Sequence, residues 1–111
     1  MLASAEAFKI GGEIIEFKTT NGLILKGCEK DCQAMKTIGK FKKIDLKKAR
    51  GKETFSGSVG SDVCRLVYKA NSIIGVTQDK DQRAFCVFED NSLIEINSLS
   101  QYLKEKKIVI E

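Results

Sequence analysis

The chain contains no histidine, proline or tryptophan, and only two tyrosines beside six phenylalanines in 111 residues. Without histidine it lacks the commonest general base and the usual partner of a serine or cysteine nucleophile. Its acids fall in turns (Asp79, Asp81, Glu89, Asp90) or at strand edges (Glu13, Glu16, Glu95). Asp79 and Asp81 offer too few oxygens for a calcium loop and read as a solvated turn. Neither Gly11-Gly12 nor residues 57–60 has the strand-to-helix setting and the Lys-Ser/Thr end of a phosphate-binding loop. The reading is therefore of a protein that is not an enzyme, with no catalytic residue, metal or cofactor. No apolar run approaches the roughly twenty residues that cross a bilayer as a helix, so no membrane span is expected.

What is present suits a folded, water-exposed chain. The apolar share is 42% and the charged share 31%, with a formal charge of +4. Such a length fits one small domain over residues 1–111, with a core resting on Ile, Leu and Val. Ala3-Ser4-Ala5 has the small-x-small form of a signal-peptidase site, with Glu6 as the new N-terminus. An alanine-rich helix over the same residues is the alternative.

In order along the chain, Ser4 to Ile10 is expected as a short helix ended by Gly11-Gly12. Glu13 to Thr19 and Leu23 to Cys28 are expected as strands around Asn21-Gly22, the strongest short hairpin signal. Asp31 is a candidate cap for a helical turn through Cys32, Met35 and Ile38. Residues 53–60 have linker composition. Ser61-Asp62 caps an expected helix over Val63 to Ala70, with Asn71 at its αL end. Strands follow at 72–78, 83–88 and 93–96, then a helix capped by Ser98 or Asn97, and an edge strand at 107–111.

The two halves resemble each other in order of parts. Residues 7–28 match 67–88 at an offset of 58 or 59 (86 − 28 = 58, 73 − 14 = 59). The expectation is a duplicated motif, with pseudo-repeats 4–38 and 61–103 joined by a basic, Gly/Ser-containing segment 39–60. The fold class is α+β: two helix-plus-β-hairpin units, an antiparallel sheet with short helices, stabilised by disulfides.

Four cysteines, Cys28, Cys32, Cys64 and Cys86, read as two disulfides in a small exported chain. Sequence does not choose among the three pairings. The favoured set is Cys64–Cys86 with Cys28–Cys32; the first closes a loop of about twenty residues, worth roughly 3 kcal/mol. A zinc site, a redox-active pair and four reduced thiols are the competing readings.

Residues 36–52 carry eight Lys or Arg against one acid, Asp45. Lys40, Lys42, Lys43, Lys47, Lys48 and Arg50 are the candidate contacts for an anionic partner, either a protein or an envelope component. Nucleic acid is the alternative, although only Phe41 and Phe55 are near for stacking. A simply solvated face competes with both.

Cys64, the break at Ala70-Asn71, the hairpin to Phe88, Cys86-Val87-Phe88 and Asp90-Asn91-Ser92 follow one another at a recognisable spacing. In this, residues 62–97 resemble a family of short exported domains of Gram-negative bacteria, labelled haemolysins and otherwise of unknown function. The family continues with a third Cys and a Trp; here Ile94 and Asn97 stand near those places. The resemblance implies an exported small domain with a Cys64–Cys86 bond, and it lends no catalytic residue. The expectation is a non-catalytic periplasmic or secreted binding module: an envelope or host-interaction protein, or an inhibitor of a hydrolase.

Overall fold

A computed structural model describes residues 5–27, 31–51 and 58–110. Six antiparallel strands close into a barrel in the order β1-β2-β3-β7-β6-β5. They are β1 (Ala5–Ile10), β2 (Glu13–Thr20), β3 (Leu23–Lys26), β5 (Asn71–Val76), β6 (Gln82–Val87) and β7 (Leu93–Glu95). The helices are α1 (Gln33–Lys40), α2 (Leu46–Arg50), α3 (Val59–Asp62) and α4 (Ile96–Glu105). After α3 the hydrogen bonding widens to a π-helical turn over Val63–Val67, where Tyr68 N donates to Val63 O at 2.8 Å. Two short strands, β4 (Ile44–Asp45) and β8 (Val109–Ile110), pair in parallel outside the barrel.

The first segment is a strand, not the expected helix. Its AEAFKI pattern has a period of two that sends Phe8 and Ile10 to the same side, and all six residues pair with β2. Phe8 then meets the rings of Phe17 and Phe85 at 5.2 and 5.0 Å between centroids. Alanine's helix propensity is too weak to outweigh that pairing and burial. The turns at Gly11-Gly12 and Asn21-Gly22 both carry positive φ at both residues, as a two-residue type I′ hairpin turn needs.

Two apolar cores follow from the alternation of side chains. Phe8, Phe17, Phe85 and Leu93 fill the barrel. Leu23, Leu25, Cys86 and Ile94 point outward instead and are covered by Ala34, Ile38, Val63, Leu99 and Leu103 from the helices. Strands β3, β6 and β7 are therefore buried on both faces. On the outer side of β2 and β5, Ile14 and Ile74 are 75% and 60% exposed. β1 and β5 close the barrel with Lys9 in register with Val76.

The internal match does not superpose like on like, because it sets part of strand β1 against the end of the π-helical turn. A different correspondence exists in the order of elements. Each half runs three antiparallel strands, a helix and a short strand, and β4 pairs with β8.

The helix starts also differ from expectation. Ser58 Oγ, not Ser61 or Asp62, caps α3 by accepting from Ser61 N at 3.2 Å. Glu95 caps α4, its two carboxylate oxygens accepting from Asn97 N and Ser98 N at 2.7 and 2.8 Å. Cys32, not Asp31, caps α1. The positive φ after the π turn falls at Lys69, two residues before Asn71, which opens β5.

Helices α3 and α4 touch through backbone at Gly60, within the stretch read as linker. A Cβ there would lie 2.5 Å from Ile96 O and from Ser100 Oγ, and Gly60 N already donates to that hydroxyl at 2.6 Å. Gly60→Ala is expected to cost about 1–3 kcal/mol, because the backbone of α4 must move away. Thermal unfolding of the variant checks this; a melting temperature unchanged from wild type would show that the helices separate freely.

Candidate functional site

The lysine-rich segment runs from the end of α1 through β4 and α2. Lys40, Lys42, Lys43, Lys47 and Lys48 are exposed along it. Lys40 Nζ lies 5.7 Å from the centroid of the Phe41 ring. Asp45, the one acid, is committed to structure: its Oδ1 accepts from Lys48 N at 3.0 Å and caps α2. The local sequence explains this, since an Asp just before a helix satisfies an otherwise orphaned N–H.

Arg50 departs from the expected set. Its Nε donates to Asp62 Oδ2 at 2.8 Å, while Arg65 NH2 reaches Asp62 Oδ1 at 3.1 Å. Asp62 is 0% exposed. Arg50 therefore anchors α2 to the α3 and π-turn segment instead of presenting its charge outward with the lysines.

Between the lysines and the π turn lies a shallow groove of about 340 Å³. Phe41, Ile44, Leu66 and Val67 supply its apolar lining, and Lys43 and Lys48 its cationic lining. Leu66 and Val67, both within the stretch expected as a helix, remain half-exposed. Phe41 packs against Tyr68 with the rings tilted by 37° and their centroids 5.6 Å apart, and Tyr68 stands 6.1 Å from Phe88. The Tyr68 hydroxyl is buried with no hydrogen-bond partner among the described residues. Burial, with Tyr102 nearby, pushes its ionisation well above the ordinary tyrosine range.

Two further clefts lie elsewhere. One of about 390 Å³ sits beside the β1–β5 pairing, lined by Phe8, Ile14, Val76, Lys9 and Lys80. The other, about 240 Å³, lies between Tyr68, Asn71 and Glu89. Beside it the turn after β6 docks on α1. Asp90 Oδ2 accepts from Gln33 N at 2.8 Å, and its Oδ1 accepts from Ser92 N and Ser92 Oγ at 2.9 and 2.6 Å. Ser92 Oγ in turn accepts from Ala34 N at 3.2 Å.

The Gln33 N–H, and after it the Ser92 hydroxyl and N–H, hold the Asp90 carboxyl below its ordinary range. A carboxyl so lowered stabilises the fold above its unfolded value of about 3.9, and that contribution is lost as pH falls through the folded value. Asp90→Asn is expected to lower the melting temperature at neutral pH and to shrink its fall on acidification. Melting curves across that acid range check it; parallel curves for variant and wild type would remove the carboxylate from the account.

Cys64 and Cys86 are joined, with their Cα atoms 5.8 Å apart. Neither is then available to a metal or as a thiol. Cys28 lies outside the described residues, as do Lys52 and Phe55, so the expected Cys28–Cys32 bond falls there too; no described cysteine is free. No described helix is long and apolar enough to cross a membrane. Among the described residues, no three His, Cys, Asp or Glu stand together as a metal set. Comparison with protein-family models, with curated proteins and with solved structures finds no match to this chain.

Proposed function

We propose that the protein is a non-catalytic binding module that works outside the reducing cytosol, in the periplasm or secreted, and meets an anionic partner through Lys40, Lys42, Lys43, Lys47 and Lys48. The observation that carries it is the Cys64–Cys86 bond, buried at both ends. A disulfide of this kind persists in oxidising compartments and is compatible with export. The resemblance of residues 62–97 to short exported domains supports the same compartment. An envelope or host-interaction role, or inhibition of a hydrolase, fits a module that acts by contact alone. A duplicated origin belongs to the same reading, supported by a strand order that is unchanged when the two halves are exchanged.

The lysines support the anionic partner because none of them takes part in an ion pair among the described residues. Nucleic acid, the alternative use of these charges, has weaker support: Phe41 is half-buried and packed against Tyr68, where a base would need an open ring.

Alkylation of protein freshly taken from its own cell, followed by mass spectrometry without reductant, tests the compartment. The expected product carries Cys64 and Cys86 unmodified and linked. Alkyl groups on both would sink the export reading.

A further inference from the structure

The groove beside the lysines combines two properties that single out one kind of occupant. Its charged side is net cationic: Lys43 and Lys48 line it together with one acid, Asp45, whose carboxylate is turned to the α2 N-terminus through Lys48 N, and Lys40, Lys42 and Lys47 adjoin it in sequence. Its other side is apolar: Phe41, Leu66 and Val67 are half-exposed and rest on buried Ile44. A phosphate backbone or a simple polyanion would neutralise the lysines and leave that apolar surface wet. A bilayer takes up apolar side chains that stand clear of a surface, whereas Phe41, Leu66 and Val67 are partly buried. A helix reaches them with side chains projecting at i, i+3, i+4 and i+7, while carboxylates on either side of that stripe face the lysines.

We infer that the groove receives an acidic amphipathic helix of a partner protein, its apolar stripe on Phe41, Leu66 and Val67 and its carboxylates on Lys43 and Lys48. The inference rests on the anionic-partner reading above and names the chemistry of that partner. Charge sets the encounter, and the apolar contact gives the selectivity among anions.

The test uses the full chain and a synthetic peptide of about fifteen residues, with leucines at helical spacing and glutamates elsewhere. The comparison probes are the same residues scrambled, polyglutamate of equal length, phosphatidylglycerol vesicles and duplex DNA. The amphipathic peptide is expected to bind about tenfold more tightly than its scrambled form, the worth of roughly one buried leucine. Leu66→Gln should remove that advantage while leaving polyglutamate binding unchanged. Lys43→Glu with Lys48→Glu, both exposed and outside the core, should weaken both probes, which keeps the test decisive if Leu66→Gln fails to fold.

Equal binding of amphipathic and scrambled peptides would overturn the helix groove while the anionic reading stood. Binding to no anionic probe would overturn both. Tighter binding to vesicles or to DNA than to the peptide would overturn the inference by assigning the lysines to a different class of partner.

Discussion

Replacing Cys64 and Cys86 together by alanine is expected to lower the unfolding free energy by about 3 kcal/mol. The two cysteines are 22 residues apart in sequence, so the bond removes a loop of that size from the unfolded chain's freedom. In the folded state it ties the π-helical turn to β6. There Cys86 lies opposite Ser72 on one side and Ile94 on the other, in the wall that the helices cover. Cys64 and Cys86 are both fully buried, so the loss includes packing as well as loop entropy.

Removing both sulfurs avoids leaving one buried thiol to mispair. Guanidinium unfolding, read by circular dichroism, gives the measurement, and a more expanded unfolded state should steepen its denaturant dependence. A double variant within about 0.5 kcal/mol of wild type, the range of an ordinary surface change, would mean the bond adds little to the native fold.

Asp62→Ala is the second large effect, expected to cost about 3–5 kcal/mol. Its carboxylate is wholly buried between Arg50 Nε and Arg65 NH2, which themselves reach partly into solvent. The cost comes from removing the buried carboxylate on which a guanidinium of α2 and one of the π turn converge, at a partly dry site. Arg50→Ala should cost less, because Asp62 keeps Arg65. Asp62→Asn should fall between the two, since it keeps the shape and loses the charge.

Denaturant titration of the three variants gives that order directly. Equal losses for Arg50→Ala and Asp62→Ala would show that the carboxylate is not the centre of the arrangement. Because Arg50 closes the α2 that carries Lys47 and Lys48, Asp62→Ala should also weaken binding to any anionic probe.

Where local chemistry decides conformation, the sequence was readable. Asn21-Gly22 specified its turn because few other residues accept positive φ at both positions without strain. The strands on either side of residues 77–81 were placed within two residues, because their β-branched and aromatic side chains are bounded by charge. The basic segment announced itself by composition alone.

Other assignments depended on partners that a local pattern does not contain. AEAFKI suits a helix by its alanines and a strand by its alternation; pairing with β2 and the ring contacts of Phe8 decided for the strand. Ser61-Asp62 has the form of a helix start, but the helix begins at Val59 and Asp62 faces inward to Arg50, twelve residues back. Gly60 looked like linker flexibility and serves instead as the point where two helices touch. Arg50 could not be told from its neighbouring lysines, since a charge reveals its role only when its counterion is placed. The groove was not visible at all. Phe41, Ile44, Leu66 and Val67 come from two segments more than twenty residues apart, brought together by the packing of α2 on the π turn.

By itself the sequence determined the antiparallel strands other than β1, the Asn21-Gly22 turn, the run of exposed lysines and the presence of cysteines suited to pairing. These are set by side-chain period, backbone φ preference and charge, all of which act over a few neighbouring residues. Only the tertiary structure decided that the strands close into a barrel, that Lys9 meets Val76 at its seam, and that one wall is buried on both faces while Ile14 and Ile74 stay exposed on the other. Closure is a relation between strands nearly seventy residues apart, whose free energy comes from filling the interior with Phe8, Phe17 and Phe85 together, and no single segment carries that energy alone.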